Sequence, residues 1–316
     1  MGISLTRRLS ILCLCLALCL TGFAQNSAKV YIEPNGWSLG MNTGVSDLWG
    51  DVGTKSPLTH YDNSNYLSNM KYMGGIFTRY TFHPCFSVRL QVNYGTLFAT
   101  DTWNESAAKK SSDGGSDAVQ RYLRSQDAKD IMFEGTLLFE FVPLRMNPES
   151  KAAHRKGQPY IASGISYFHF TPYSSVGASS TYVKTYDLDL EGQGWGKGFP
   201  PTYSLWQPAI PLTIGYRWDL GQHLNIGVEY MYRMTFTDYL DGVSGNYLSL
   251  AEYQEHLSPS NAILAEEVAD KQPYFNHSLP NVPGTPRGNP ADKDSYSTFS
   301  FTLYYKVPTR KKEWWH

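Results

Sequence analysis

Apolar and polar side chains alternate strictly along several long runs of this 316-residue chain. In the clearest run, residues 86–98, every second side chain is apolar or a threonine. Most of the side chains between them are polar or absent: Ser87, Arg89, Gln91, Asn93 and Gly95. Because successive side chains of a strand point to opposite faces, this run predicts a strand with one apolar and one polar face. Its length matches the roughly 9–11 residues that a tilted strand needs to cross a bilayer.

The same alternation recurs often enough to predict about eight strands. The other runs begin near Trp37, Gly75, Ile131, Tyr160, Ala209, Leu224 and Phe299. In seven of the eight runs the pattern assigns the inward and outward faces. In the run over residues 160–170 it leaves them open.

The connections between the runs alternate in length. Those after the second and sixth runs are tight, at residues 83–84 and 219–222, and the one after the fourth is of medium length. Those after the odd-numbered runs are long, about residues 48–71, 100–129, 171–204 and 234–295. An even strand number with alternating short and long turns is typical of bacterial outer-membrane barrels. The predicted fold class is therefore all-β, a transmembrane antiparallel up-and-down barrel of about eight strands with long extracellular loops; a soluble barrel or sandwich is the alternative.

The N-terminus has the pattern of a secretory signal peptide. Arg7 and Arg8 precede an apolar stretch over residues 9–20, and Gly22 and Ala24 supply the small side chains of a cleavage site. The stretch is shorter than the roughly 20 residues of a membrane-spanning helix, which disfavours an uncleaved anchor. We therefore expect a signal peptide over residues 1–24 and one outer-membrane barrel domain over residues 25–316.

Charge and cysteine content narrow the possible functions. The formal net charge is −1, so nothing indicates a nucleic-acid partner, and the expected contact is outer-membrane lipid. Removal of the signal peptide takes three of the four cysteines and leaves Cys85. A single cysteine allows no internal disulfide, so packing and the surrounding lipid must stabilise the domain.

Charged residues recur on the polar faces of the predicted strands. These faces should line the lumen, and the lumen of an eight-stranded barrel is only wide enough for its own side chains. Because an unpaired buried charge is costly, we expect a mutually neutralising plug rather than an ion-conducting pore. The predicted lumen charge network is Arg79, Arg89, Glu134, Glu140, Arg217, Glu229 and Arg233.

Catalysis has little support in the sequence. His169 and Asp238 are expected near the outer rim, but no spacing of nucleophile, base and acid follows from the strand pattern. The chain has no nucleophile elbow, phosphate-binding loop, dinucleotide fingerprint or cysteine–histidine metal spacing. We therefore expect no catalytic residues, no cofactor and no metal.

One segment, YRMTFTDYLDGVS over residues 232–244, is distinctive, and it lies where the seventh predicted strand enters the longest loop. It resembles the signature of the PorG-like outer-membrane proteins of Bacteroidetes, which are associated with the type IX secretion system. Further matching pieces follow in the same order: RYTF at residues 79–82, PYIASGI at 159–165, EGQG at 191–194 and RGN at 287–289.

The resemblance implies a non-enzymatic component of a protein secretion machine. Such a component anchors a periplasmic ring, made of the lipoprotein PorK and its partner PorN, to the outer membrane. The alternatives are a stand-alone OmpA-like or porin-like barrel for envelope integrity, adhesion or small-solute uptake, and a hydrolase active at the rim.

The distinctive segment has a physical interpretation of its own. Arg233 can pair with an interior carboxylate such as Glu229, or with Asp238 at the rim, while threonine hydroxyls bond to the loop backbone. We therefore interpret it first as a structural lock on the longest loop, and second as a direct binding site. The predicted loop-anchoring residues are Arg233, Thr235, Phe236, Thr237, Asp238 and Tyr239.

Cys85 follows His83 and Pro84 in the first tight connection, which the strand order places at the periplasmic mouth. An odd cysteine in an exported protein suggests intermolecular pairing or a free thiol. The resemblance implies that this mouth faces the periplasmic ring, so one hypothesis is a disulfide from Cys85 to a partner lipoprotein. The alternative is a small residue that is simply buried.

Overall fold

The computed structural model describes residues 35–54, 69–147, 149–221, 223–275 and 279–308. The predicted signal peptide and residues 55–68 of the first long loop lie outside this part of the chain. The described strands are β1 Gly36–Trp49, β2 Lys71–His83, β3 Phe86–Thr100, β4 Asp127–Phe141, β5 Gly157–Ser175, β6 Tyr182–Lys184, β7 Trp206–Asp219, β8 Leu224–Thr235 and β9 Ser295–Lys306.

Eight of these strands close into an antiparallel barrel. The order β4-β3-β2-β1-β9-β8-β7-β5 is closed by pairing of β4 with β5, while the short β6 pairs only with the extracellular end of β5. Closure satisfies the backbone hydrogen bonds within the wall, as lipid requires. The structure confirms the predicted eight-stranded transmembrane barrel.

The outer wall of the barrel is apolar. Many of its large side chains are more than half exposed, among them Leu39, Ile76, Leu90, Tyr94, Ile165, Ile214 and Phe301. A soluble barrel or sandwich would place this belt in water, so the structure rules out that alternative. The chain is a multi-pass β-barrel of the outer membrane. Among the described helices, none is both long and apolar enough to cross a membrane.

The lumen changes character along the barrel axis. Its periplasmic half is lined by charged and polar side chains, including Arg79, Arg89 and Glu140. Its extracellular half is a hydrophobic core that contains Leu97, Met132, Phe168 and Phe170. β5 provides side chains for both halves, with Tyr160 and Phe168 inward and Ile161 and Tyr167 outward, which settles the facing that the sequence left open.

The long connections form an ordered cover over the extracellular mouth, here called the roof (the described residues of 50–54, 101–126, 176–205 and 236–294). Its helices are α1 Glu105–Lys110, α2 Asp117–Arg124, α3 Leu250–His256 and α4 Pro259–Ala269. Ser249 forms a capping box with Glu252 at the start of α3, and Pro259 opens α4 at a position where its missing N–H costs nothing.

Candidate functional site

Glu140 is the centre of the charge network in the periplasmic half of the lumen. The strand register brings Arg79 on β2, Arg89 on β3 and Arg217 on β7 around this carboxylate of β4. Their guanidinium nitrogens lie 2.8, 3.1 and 3.6 Å from its oxygens. All four side chains are buried, so each charge depends on the others rather than on water.

Glu229 extends the network across the lumen. Its carboxylate accepts hydrogen bonds from Arg89 at 2.6 Å and from the hydroxyl of Tyr160 at 2.7 Å. The guanidinium of Arg79 also lies 4.4 Å from the ring centroid of Tyr304, a cation–π contact. These contacts join β2, β3, β5, β8 and β9 through the interior, and they fill the cross-section with side chains.

Glu134 and Arg233 form a second pair nearer the middle of the barrel. Their side chains approach within 3.2 Å, and Tyr296 donates a hydrogen bond to Glu134 at 3.0 Å. Arg233 also donates to the hydroxyl of Thr298 at 2.6 Å. Arg233 pairs with an interior carboxylate, as one of the two alternatives expected, but the partner is Glu134 and not Glu229, the example given. The register of β8 places its side chain opposite Glu134 on β4, whereas Glu229 lies four residues nearer the periplasm and is held by Arg89.

The periplasmic mouth has an ion cluster that sequence reasoning missed. Asp219, at the end of β7, lies 3.4 Å from Arg145 and 3.1 Å from Lys306. Arg145 is buried although it lies in a short 3₁₀ turn, Pro143–Arg145. No periodic pattern identifies an inward-facing turn residue, so the sequence carried no signal for it.

The segment after β8 ties the barrel to the roof. The hydroxyl of Thr235 donates to the carbonyl of Asp294 at 2.6 Å, and the N–H of Asp294 donates to the carbonyl of Thr237 at 3.0 Å. Tyr239 stacks on Tyr203, with ring centroids 4.2 Å apart. The two ends of the longest loop therefore meet directly above the wall.

The remaining members of the segment face in opposite directions. Phe236 is 58% exposed on the outer wall, whereas Asp238 is buried inside the roof. Burial raises the pKa of Asp238 to about 7. Phe236 therefore faces lipid, whereas Asp238, two residues further along the chain, lies in a polar interior, as expected where a strand ends.

A group of buried carboxylates lies beneath the roof. Asp241 accepts hydrogen bonds from the N–H groups of Val52 and Val243, each at 2.9 Å, and Asp294 accepts from Leu240 at 2.8 Å. Burial and the neighbouring charge of Asp51 raise the pKa of Asp241 to about 7.

Burial also raises the pKa of Asp294, and the charges of Asp241 and Asp238 add to that shift. Asp130 on β4 is fully buried, and neither of its carboxylate oxygens has a hydrogen-bond partner. Loop geometry brings Asp241 and Asp294 together, so no periodic pattern along the chain predicts the group.

Two ion pairs fix roof elements to one another, and a third ties the roof to β4. Arg287 lies 2.9 Å from Glu191, Arg124 lies 2.8 Å from Asp101, and Lys271 pairs with Asp127. Glu191 and Arg287 are about a hundred residues apart in the chain, and both belong to pieces quoted above for the PorG-like resemblance. The structure brings these two pieces into direct contact inside the roof.

Cys85 lies in the turn between β2 and β3 at the periplasmic end. Its side chain is buried, and its sulfur lies 3.0 Å from Nδ1 of His83. Burial raises the pKa of the thiol, which disfavours the reactive thiolate. The sulfur is therefore accessible to a partner's cysteine only if this turn moves, and the intermolecular disulfide stays a prediction.

The described residues give no support to hydrolytic or metal chemistry. His169 faces the outer wall, where its ring lies 5.0 Å from that of Trp206, whereas Asp238 is enclosed in the roof. No three histidine, cysteine, aspartate or glutamate side chains of the described ranges are grouped to hold a metal ion. What the arrangement does physically is close the lumen and order the extracellular surface.

Comparison with known proteins identifies a family and a general resemblance of fold. A model of the family described as "Domain of unknown function (DUF6089)" matches residues 14–255. No curated protein matches the chain.

Several solved outer-membrane barrels are similar in fold. Ail, the attachment invasion locus protein of Yersinia pestis, is 9% identical over 86% of this chain and 99% of its own, with a TM-score of 0.35. OprG of Pseudomonas aeruginosa is 11% identical over 87% of this chain and 98% of its own, with a TM-score of 0.34. At this level of similarity no property of either protein transfers to this chain.

Proposed function

The chain belongs to the DUF6089 family, and on that premise we propose that it is a non-enzymatic outer-membrane component of a protein secretion machine of the type IX kind. In this role it anchors a periplasmic ring built from proteins like PorK and PorN. The support for the specific machine is the sequence resemblance centred on residues 232–244. The support for an anchoring role is the shape of the molecule.

The observation that carries the anchoring role is the filled lumen. Glu140 and Glu229 with their arginine partners occupy the periplasmic half, and Leu97, Met132 and Phe168 occupy the extracellular half. A barrel filled in this way does not suit transport through its lumen. The surfaces that remain for binding a partner are the lipid-facing wall, the periplasmic mouth and the roof.

The periplasmic mouth is the surface that a ring would contact. It presents the short β2–β3 and β7–β8 turns, and the cluster of Arg145, Asp219 and Lys306 holds the adjoining strand ends together. A rigid rim of this kind suits a docking platform, because little conformational entropy is lost on binding. Cys85 lies at the same rim, and its proposed disulfide would make the contact covalent.

The decisive experiment is deletion of the gene with measurement of secreted cargo. We expect loss of export of proteins that carry the type IX signal, and restoration by the wild-type chain. Affinity purification from native membranes should recover the PorK-like and PorN-like proteins. Normal cargo export in the deletion strain, with no ring protein recovered, would exclude the secretion role.

The Cys85 contact has its own test. Non-reducing electrophoresis of native membranes should show a band that contains both proteins, and this band should disappear with reductant and in Cys85→Ser. If Cys85 is fully alkylated without reductant and no such band forms, docking is non-covalent.

The ordered roof favours a second candidate, a stand-alone barrel that acts in adhesion or envelope integrity. The helices α3 and α4 pack with the loop over residues 186–199 around a core of their own, which includes Leu188, Tyr253 and Val268. Such a structured extracellular surface suits a contact outside the cell. A deletion strain that exports cargo normally but loses adhesion or detergent resistance would favour this candidate. Small-solute uptake would require conductance in planar bilayers, which the filled lumen leads us not to expect.

A further inference from the structure

A groove of about 380 Å³ crosses the lipid-facing wall over β3, β4, β5 and β7. Its lining is almost wholly apolar. We name it the lateral groove and define it by six of its outward-facing lining residues, Leu90, Gly135, Ile165, Tyr167, Ile210 and Phe236. The volume lies within the range of roughly 300–1,000 Å³ that is usual for small-molecule sites.

A missing side chain creates the centre of the groove. Gly135 occupies an outward position of β4 between Phe133 and Leu137, which are both well exposed. The register places Gly135 beside Val92 on β3 and Tyr167 on β5. A Cβ added at Gly135 would meet only the carbonyl oxygen of Tyr167, at 4.0 Å, so the space above the glycine is open.

A break in the strand ladder forms the adjoining wall of the groove. β5 and β7 are paired up to Ser163 and Leu212 and again from Ser166 and Ala209 onward, but not at the two positions between. Pro211 lies in this interval and has no N–H to donate. The hydroxyl of Ser163 donates to the carbonyl of Pro211 at 3.0 Å and so satisfies that acceptor. The unpaired positions include Ile165 and Ile210, which both line the groove.

The groove runs from the middle of the wall to its extracellular edge. Leu90 and Gly135 lie near the centres of β3 and β4, whereas Phe236 directly follows the extracellular end of β8. Near the same edge the rings of Tyr167 and Trp206 stack with centroids 5.4 Å apart. Aromatic side chains of this kind mark the level of the lipid head groups.

We propose that the lateral groove is a binding site for one acyl chain of a membrane lipid in the outer leaflet. The groove is continuous with the apolar belt that faces the bilayer, so hydrocarbon is the medium that fills it. The hydrophobic effect does not favour a lipid tail in the groove over one in the surrounding bilayer, because both surroundings are apolar. Van der Waals contacts along the groove therefore retain the acyl chain.

The site is tested by photolabelling of the folded protein in vesicles. The vesicles contain phosphatidylethanolamine with a small fraction of a phospholipid whose acyl chain carries a diazirine. Peptide mapping should find the label concentrated on segments with Leu90, Ile165 and Ile210, above the level on β1, β2 and β9. A uniform level around the belt would overturn the proposal.

Two matched variants decide whether the groove itself holds the lipid. Gly135→Leu fills it and should reduce labelling near Ile165 to the level of the remaining belt. Thr43→Leu adds a similar side chain to the lipid-facing side of β1, on the opposite side of the barrel, and should leave the labelling near Ile165 unchanged. Both must show the heat-dependent electrophoretic shift of a folded barrel. If Gly135→Leu does not fold, Gly135→Ala replaces it, with partial loss of label expected.

Unchanged labelling in the filled variant would also overturn the proposal. So would a protein adduct, rather than a lipid adduct, at a photoreactive residue placed at position 165 in native membranes. These outcomes are independent of the secretion role, because neither measurement depends on cargo export.

Discussion

The two halves of the lumen are filled by side chains of different chemistry. In the periplasmic half, Glu140 lies within 3.6 Å of three arginines, and the interior is held by charge pairs. In the extracellular half, Leu97, Met132, Phe168 and Phe170 are fully buried, and the interior resembles the core of a soluble protein. Both halves fill the interior with buried side chains.

The difference reflects what each half adjoins. The apolar half continues into the roof, where Leu240 and Val243 belong to the same hydrophobic cluster. The charged half adjoins the periplasmic mouth, where two short turns and the medium-length β4–β5 connection lie. We infer that the apolar half couples the barrel to its extracellular cover. The charged half has no such cover, and its ion pairs make the barrel rigid there.

The largest effect is expected from replacing Glu140, the centre of the charged half. Replacement by Ala leaves Arg79, Arg89 and Arg217 buried without their shared carboxylate, and we expect a loss of roughly 3–5 kcal/mol in unfolding free energy. Urea unfolding followed by the heat-dependent electrophoretic shift measures it. The control is Glu105→Gln, which removes an exposed pair with Lys109 and should change nothing measurable. Equal stability of both variants would mean that water enters the lumen, which would favour a pore.

The apolar half is tested by Leu97→Ala. This change leaves a cavity between the barrel and the roof, and the expected loss is roughly 2–5 kcal/mol. Leu90→Ala is the matched control, since the same side chain on the same strand faces lipid there. If the two substitutions cost the same, the extracellular half is not a packed core.

The sequence predicted the barrel wall well because strand alternation is a local property. The seven lumen charges were all assigned to the inward face, and each lies in the lumen. Their partners were harder to predict, because pairing across a lumen depends on the stagger of strands that are far apart in sequence. Arg233 illustrates this, since the carboxylate that it contacts, Glu134, lies 99 residues away.

The roof was largely beyond sequence reasoning. The helices α1 and α2, the short β6 and the buried acids Asp241 and Asp294 have no periodic signature. The lateral groove was also missed. A glycine in a strand leaves open space on the outer wall only if its neighbours on adjacent strands do not fill it, and the sequence does not identify those neighbours. The segment over residues 232–244, which the sequence places at the end of the seventh predicted strand, lies at the junction of wall and roof.

The roof should respond to pH, because buried carboxylates lie beneath it. Burial raises the pKa of Asp241 to about 7 and also raises that of Asp294. The charges near Asp241 are Asp51, which adds to the shift, and Arg124, which opposes it. The charges near Asp294 are Asp241 and Asp238. Because an unfolded aspartate titrates near pH 4, the closed roof holds protons that the opened roof releases between about pH 4 and 7.

The closed roof is therefore more stable below about pH 7 and least stable above it. Hydrogen exchange of the amides over residues 236–294 at about pH 5.5 and about pH 8, corrected for intrinsic rates, measures the difference. Asp241→Asn should flatten the dependence. Protection that is equal at both pH values, or greater at the higher one, would contradict this assignment of the protons.

The smallest effect is expected at the hydrogen bond that joins the two regions. Thr235→Val removes the hydroxyl that donates to the carbonyl of Asp294 at 2.6 Å and keeps the shape of the side chain. The expected loss is about 1 kcal/mol, confined to the roof, because one buried carbonyl loses its donor. Faster hydrogen exchange over residues 236–294, with unchanged exchange in β2 and β3, would show that the roof opens while the charged half stays closed.

Thr78→Val is the control, since the hydroxyl of Thr78 makes only a 3.4 Å contact with the carbonyl of Ser38, far from the roof. Equal acceleration in all strands of Thr235→Val would instead mean that barrel and roof unfold as one unit, and the two halves of the lumen would then differ in chemistry but not in stability.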